Sequence, residues 1–460
     1  MTPARRVKGR SITTLDGIDP AARERWADAF CATGASQCGF CTPGIIVRLH
    51  GLAAKKPDAS IADAERALQA HLCRCTGWRT ILDAWEHREQ PVTIDGRDLD
   101  AAARRAEIEG RIPQAVGPHV ALGAGGFADD TAPADALVAV PTADGDWVVA
   151  ESLGEARQAA GKVQGRRTTV DAEPPLELPD GDWAVTLRTS WVEPAYLETD
   201  ASWCRPGGEP ASPLANGGAF GAKVDSIAPG AARRLADEHD RAVRVVVSRE
   251  DAVRSGAKRP PVAAGIRADG TGVIRVARTP GIVDAIHAVA PELEVEEVSV
   301  AGPPTSAAIR AAGWAEAAIL RAAITGEATI TGEATITGPD GSRATATVDD
   351  GTIKIRVSCG DPLDEVVLHS YCVGAAHMAL SWVTSEGLAV DDAGAVHDLT
   401  IRSFGVLRAV DTPPIEIELD PGPGPPVNGS DTVFAAVAAA VWIHQGLPPV
   451  WPTGQTVRTN

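Results

Sequence analysis

Positive charge is in short supply in this 460-residue chain: 43 Lys and Arg stand against 61 Asp and Glu, a formal net charge of −18. That deficit excludes non-specific nucleic-acid binding, which runs on cationic side chains. Long apolar runs are missing too. The longest, Thr432 to Ile443 ("TVFAAVAAAVWI"), is too short for a membrane span and predicts a buried helix. The opening "MTPARRVKGRSITTL" has basic residues but no apolar segment of a secretory leader, so a cytoplasmic protein is expected. No Walker loop, no G-x-G-x-x-G after a strand and no flavin signature occurs, which leaves FAD and NAD to partner subunits. Aromatics are scarce at 4%, yet eleven Trp outnumber six Phe and two Tyr combined.

What is present is ordinary globular material, 44% hydrophobic and 23% charged, enough for two to four domains. The cysteines are not evenly spread. Cys31, Cys38, Cys41, Cys73 and Cys75 crowd the start, while Cys204, Cys359 and Cys372 stand alone. In a cytoplasmic chain eight cysteines read as ligands or reduced thiols rather than a disulfide framework. Cys38-x2-Cys41 and Cys73-x-Cys75 are separated by 31 residues. The spacer carries helical apolar spacing at Ile45, Ile46, Leu49 and Leu52. A second helix follows, with Ser60 as N-cap, Asp63 three residues on, and apolar Ile61, Ala64, Leu68 and Leu72. A helix pair would return the chain and bring four thiols together, the number that closes a tetrahedral zinc or a two-iron cluster. Zinc sites favour C-x2-C or longer spacings twice, so C-x-C leans toward iron–sulfur.

The flanking residues lean further. "QCGFCTPG" (Gln37–Gly44) with "LCRCTGWRTI" (Leu72–Ile81) closely resembles the second iron–sulfur domain of the xanthine dehydrogenase and aldehyde oxidase (molybdenum hydroxylase) family, with His71 for the usual Asn and Trp78 for Tyr. The resemblance implies that Cys38, Cys41, Cys73 and Cys75 ligate one 2Fe–2S cluster. Cys31 lies outside the pattern and is expected to be a core thiol. Arg74, between two ligands, is expected to offset cluster charge and raise its potential. His377 is expected to be a core histidine.

Weaker similarities to the family's molybdopterin-binding subunit run through the remainder. "NGGAFGAK" (Asn216–Lys223) is similar to its Gly-rich cofactor loop, which would make Gly217, Gly218, Phe220 and Gly221 cofactor-binding. "VEPAYLET" (Val192–Thr199) and "SREDAVRSGAKRPP" (Ser248–Pro261) have counterparts as well. "AAIRAAGWAE" (Ala307–Glu316) would make Arg310 the arginine that orients substrate. "SFGVLRAVDTPPIEIEL" and "PPVNGSDTVFAAVAAAVW" resemble the C-terminal region that carries the family's general-base glutamate. Here Gly429 matches the preceding glycine and Ser430 takes the glutamate's place; an unassisted serine is no base near neutral pH. Asp431 is the substitute candidate, although it or Ser430 is expected to cap the following helix. No pterin-contacting Gln or G-S-x-x-S segment is found.

The reading is an α+β multidomain protein: a helical 2Fe–2S domain over 1–92, a linker over 93–115, and mixed α+β regions over 116–322 and 323–460 that are like the molybdopterin-binding subunit. The repeat "ITGEATITGEATITG" (Ile324–Gly338) suits a strand or hairpin in a tolerant loop. The resemblance implies an oxidoreductase that hydroxylates an aldehyde or N-heterocycle at molybdenum and drains electrons through the cluster. The alternative is a degenerate electron-transfer or scaffold subunit that binds the cluster but not molybdenum. Either implies a partner subunit carrying a ferredoxin-like 2Fe–2S domain, FAD, or both. The enzyme reading adds a small-molecule substrate; oligomers fit either, while nucleic acid and membrane do not enter.

Overall fold

The computed structural model describes residues 4–89, 92, 94–161, 170–214, 218–325 and 332–457. Four helices build the N-terminal unit: α1 (Pro20–Ala32), α2 (Thr42–Lys55), α3 (Ile61–Leu68) and α4 (Arg79–Glu86). Asp19 caps α1 by accepting from Ala22 N at 3.0 Å, with Pro20 at the first helical position, where its missing N–H costs nothing. Ser60 and Asp63 form a reciprocal capping box on α3. The apolar faces of the four helices meet in one core around Phe30, Ile45, Ile46, Leu49, Leu68 and Ile81. Trp26 stacks on Trp85 at 6.3 Å. α3 ends at Leu68, short of Leu72, because the chain turns where His71 N donates to Leu68 O at 2.7 Å. That turn releases Cys73 and Cys75 into a loop.

The stretch read as a linker contains a helix, α5 (Leu99–Gly110), capped by Asp98. Its charged composition suggests solvent, yet Arg105 and Glu109 are buried on it. Four helices, α6 (Leu153–Ala160), α7 (Ala228–His239), α8 (Arg249–Ser255) and α9 (Ile282–His287), accompany the first strands. α10 (Trp314–Ala323), α11 (Glu365–Thr384) and α12 (Ser430–His444) form the interior.

Three sheets complete the α+β architecture. β1 (Leu137–Pro141), β2 (Trp147–Ala150), β4 (Asp200–Cys204) and β5 (Val243–Val247) form one in the order β2-β1-β5-β4, packed on α6 and α7. β3 (Val185–Thr189), β6 (Val262–Ile266), β7 (Gly272–Ala277), β8 (Leu293–Val298) and β13 (Val450–Trp451) form the second, ordered β13-β3-β6-β7-β8. The chain's last strand thus pairs with β3, far upstream, in parallel register.

The third sheet, β12-β11-β10-β9, uses β9 (Glu333–Thr337), β10 (Arg343–Asp349), β11 (Thr352–Ser358) and β12 (Ile415–Leu419) and packs on α12. β9 is the second half of the repeat, its side chains alternating out and in, while 326–331 lie outside the described residues. α11 is long and apolar enough to cross a membrane, but 89% of its apolar window is buried against α12 and α5, as befits a core helix.

Candidate metal centre and adjoining pocket

The helical return does what the spacing required. Cys38 Sγ lies 3.5 Å from Cys75 Sγ. Cys41 and Cys73 form a second hydrogen-bonded thiol pair, and the two pairs feel each other's charge. Hydrogen bonding from Cys41 and from Thr76, whose Oγ1 is 3.1 Å from the sulfur, pulls the Cys73 thiol down to about 6. Sharing a proton with a neighbouring thiol, together with burial, pushes Cys41 and Cys75 up. Cys38, Cys73 and Cys75 are buried and Cys41 is half-buried.

Four sulfurs without an oxygen ligand among them are a soft donor set. Among the described residues no three His, Cys, Asp or Glu side chains converge as for a single ion. Two facing thiol pairs supply the four thiolates that a two-iron cluster takes.

The loops around the thiols are held from outside by parts of the chain far away in sequence. Gln37 Nε2 donates to Cys75 O at 2.9 Å and to Ser370 O on α11 at 3.1 Å. Gly39 sits at φ +81°, where a Cβ would come within 2.5 Å of Val120 O. Gly374 on α11 lies so close that a Cβ there would stand 1.8 Å from Cys75 O.

Arg74 departs from its expected role. Its Nη1 and Nη2 donate to the two oxygens of Glu386 at 2.5 and 2.7 Å, and its Nε to Pro194 O at 3.1 Å, all buried. Its charge is therefore matched by a carboxylate just past α11, and the side chain serves as a fastener rather than a screen for the cluster. Burial raises Glu386, and Arg74 pulls it back.

Cys31 is a buried thiol whose sulfur lies 3.8 Å from Arg97 Nη1, away from the four. His377 is buried with Nε2 3.1 Å from Leu407 O; burial, then Arg74, depress it to about 3, so it is a neutral core group.

On the other side of α11 the structure gathers the remaining candidates. Gly217 lies outside the described residues. Gly218–Gly221 form a tight turn in which Ala219 and Phe220 adopt φ of 50° and 56°. Arg310 N donates to Phe220 O at 3.0 Å, and Arg310 Nε faces Asp431 Oδ1 at 3.4 Å. Arg111, just past α5, binds the other oxygen of Asp431. Between them is a cavity of about 90 Å³ lined by Glu109, Arg111, Ile112, Phe220, Arg310 and Asp431, among others.

Neither Ser430 nor Asp431 caps α12. The N-cap is Gly429, Asn428 Oδ1 accepts from Asp431 N at 2.9 Å, and Glu109 accepts from Gly429 N at 3.1 Å and Ser430 N at 2.9 Å. Glu109 reaches across from α5 and accepts from these amides, and Ser430 Oγ is buried without a partner among the described residues. Both oxygens of Asp431 thus face guanidiniums, Arg111 on one side and Arg310 on the other.

At about 90 Å³ the cavity is smaller than the roughly 300–1,000 Å³ of pockets for drug-sized molecules, so a pterin there would need a wider opening. Glu109 and Arg111 were not legible as site residues, because they sit in a stretch whose only local signal is charge.

Comparison with known proteins agrees with the helical unit. Residues 14–86 match the family model described as a [2Fe-2S] binding domain. A probable xanthine dehydrogenase subunit of Bacillus subtilis is 42% identical over 82 residues, 18% of this chain and 47% of that protein. The xanthine dehydrogenase/oxidase of Mus musculus is 36% identical over 86 residues, 18% of this chain and 6% of that protein. The chain thus matches less than half the length of these curated relatives.

In fold it is similar to the aldehyde oxidoreductase from Desulfovibrio gigas, with a TM-score of 0.68 at 13% identity, covering 96% of this chain and 90% of that one. The aldehyde oxidoreductase from Desulfovibrio desulfuricans gives 0.64 at 13% identity, covering 93% and 89%. The motif and the matched domain agree that residues 14–86 are similar to a [2Fe-2S] binding domain found in xanthine dehydrogenases, and the chain shares the fold of the two aldehyde oxidoreductases.

Proposed function

We propose that this chain is an iron–sulfur electron-transfer protein of the xanthine dehydrogenase and aldehyde oxidase (molybdenum hydroxylase) family, in which Cys38, Cys41, Cys73 and Cys75 hold one 2Fe–2S cluster. The observation that carries the reading is the convergence of the four thiols as two facing pairs. When bound, the cluster supplies one-electron storage. The chain's own groups position it: the Gly39 turn and the α11 contacts hold the loops, and the Thr76 hydroxyl hydrogen-bonds the Cys73 sulfur. Its electrons would pass in the cytoplasm to a partner subunit bearing a ferredoxin-like cluster or FAD.

Purified protein should show the broad visible bands and the reduced-state EPR signal of a 2Fe–2S centre. Serine at any of the four positions should abolish both, whereas Cys31→Ala and Cys204→Ala should leave them intact. Stoichiometric zinc with no iron would sink the proposal.

A second reading, hydroxylation of an aldehyde or N-heterocycle at molybdenum, is favoured by one observation. The Phe220 turn, Arg310 and Asp431, distant in sequence, do meet at one cavity. Elemental analysis of protein made in a host that supplies the cofactor decides it; absence of molybdenum defeats this reading without touching the first.

A further inference from the structure

β9 is the edge of the third sheet: in the order β12-β11-β10-β9 no described strand lies beyond it. The turn that ends it sets its hydrogen-bonding phase. Gly338 N donates to Ser342 O at 2.8 Å, which makes Gly338 and Ser342 a hydrogen-bonded pair. Such pairs alternate along an antiparallel ladder, and the register opposes Ile336 to Ala344, Thr335 to Thr345 and Ala334 to Ala346. Ala334 and Ile336 therefore bond to β10, while the N–H and C=O of Thr335 and Thr337 point away from it. The Thr335 and Thr345 hydroxyls lie 2.8 Å apart, as befits the closer side chains of a pair that shares no backbone bonds.

Sheets blunt a free edge with charge or Pro. The opposite edge, β12, does so: Pro413 and Pro414 precede it, and Glu416 and Glu418 stand on its exposed face. β8, an edge of the second sheet, carries Glu294, Glu296 and Glu297. β9 reads Glu-Ala-Thr-Ile-Thr, with one charge at its first residue and neither Lys nor Pro. That sequence complements its own reverse. An antiparallel second β9 centred on Thr335 sets Thr335 opposite Thr335, Ala334 opposite Ile336 and Glu333 opposite Thr337, so no like charges meet. Arg343 pairs with Thr337, so Glu333 of each copy also shares a cross-strand row with Arg343 of the other. Ala334 and Ile336, buried where β9 packs on α12, carry the apolar face across the join. We propose that two copies of this chain associate through β9, joining their third sheets into one continuous sheet about a two-fold axis at Thr335. The inference depends on neither the cluster nor a pterin.

Sedimentation velocity of the purified full chain over a wide concentration range tests it, with hydrogen exchange of the peptide spanning β9 measured alongside. A reversible monomer–dimer equilibrium is expected, and the Thr335 and Thr337 amides should exchange more slowly as the dimer fills. Thr335→Lys sets two cations face to face on the axis, and Thr335→Pro removes only an outward N–H. Each should weaken association at least tenfold, while Thr345→Lys, one strand further in, should leave it near the parent value. Circular dichroism reports that each variant is folded; should Thr335→Pro fail, Thr335→Lys decides alone. A monomer at every concentration, a dimer that forms without slowing exchange in β9, or one that persists unchanged in Thr335→Lys would overturn the proposal.

Discussion

The Arg74–Glu386 pair shows how far one residue's surroundings can redirect it. Taken from the sequence alone, Arg74 is a cation between two cluster ligands. In the structure it is spent on a carboxylate 312 residues away. Removing one partner leaves the other charged and buried, so Arg74→Gln or Glu386→Gln should each cost roughly 3–5 kcal/mol in urea unfolding, and Arg74→Met with Glu386→Leu much less. The double variant should also leave the cluster's midpoint potential near the parent value; a large drop would restore Arg74 to its expected role.

Asp83 on α4 is a second residue whose surroundings matter. Burial, then Glu86, raises it from 3.8 to about 6. The folded state therefore holds its proton more tightly than the unfolded state. Its contribution is complete below about pH 4 and is lost as pH rises through 6. Asp83→Asn should remove that slope and stabilise the protein at pH 7 by roughly 1–2 kcal/mol, discounted for partial exposure, read from unfolding curves across pH 4–8.

At the scale of elements, local chemistry was legible and long-range pairing was not. The α2–α3 return, the Ser60–Asp63 box and the four clustered cysteines are all set by spacings of a few residues. α12 was visible as an apolar run, but its capping was not, because Glu109 is 321 residues from Ser430. α5 was missed as an element of the interior for the same reason: its charges look solvated until Arg105 is seen between Glu109, Val427 O at 2.6 Å and Cys359 Sγ at 3.5 Å. Glu109→Ala should therefore cost about 3–5 kcal/mol, and Glu109→Gln, which can still accept one amide, about 1–2. Equal small losses in denaturant would mean that α5 is not docked this way. On α11, Gly374→Ala should displace the Cys75 loop and lower iron content per chain, since its methyl has nowhere to go but into the Cys75 carbonyl.

For the molecule as a whole, the joins between the helical unit and the remainder are as specific as those inside either. Gln37 to Ser370, Arg74 to Glu386, and Arg97 to Asp364 at 2.6 and 2.7 Å all converge on α11 and its ends. Calorimetry should accordingly show one transition for both parts. Extracting the iron with a chelator should lower that transition for the entire chain rather than release an early, separate one.

The same joins impose a sequence of events. Three of the four thiols are sealed behind α11 and the Val120 turn once the chain has closed. If these thiols hold a cluster, iron and sulfide would be received most readily while the helical unit still stands apart, and docking onto α11 would then lock them in. Maturation would then be a matter of timing: a chain that closes empty stays empty until it partly reopens.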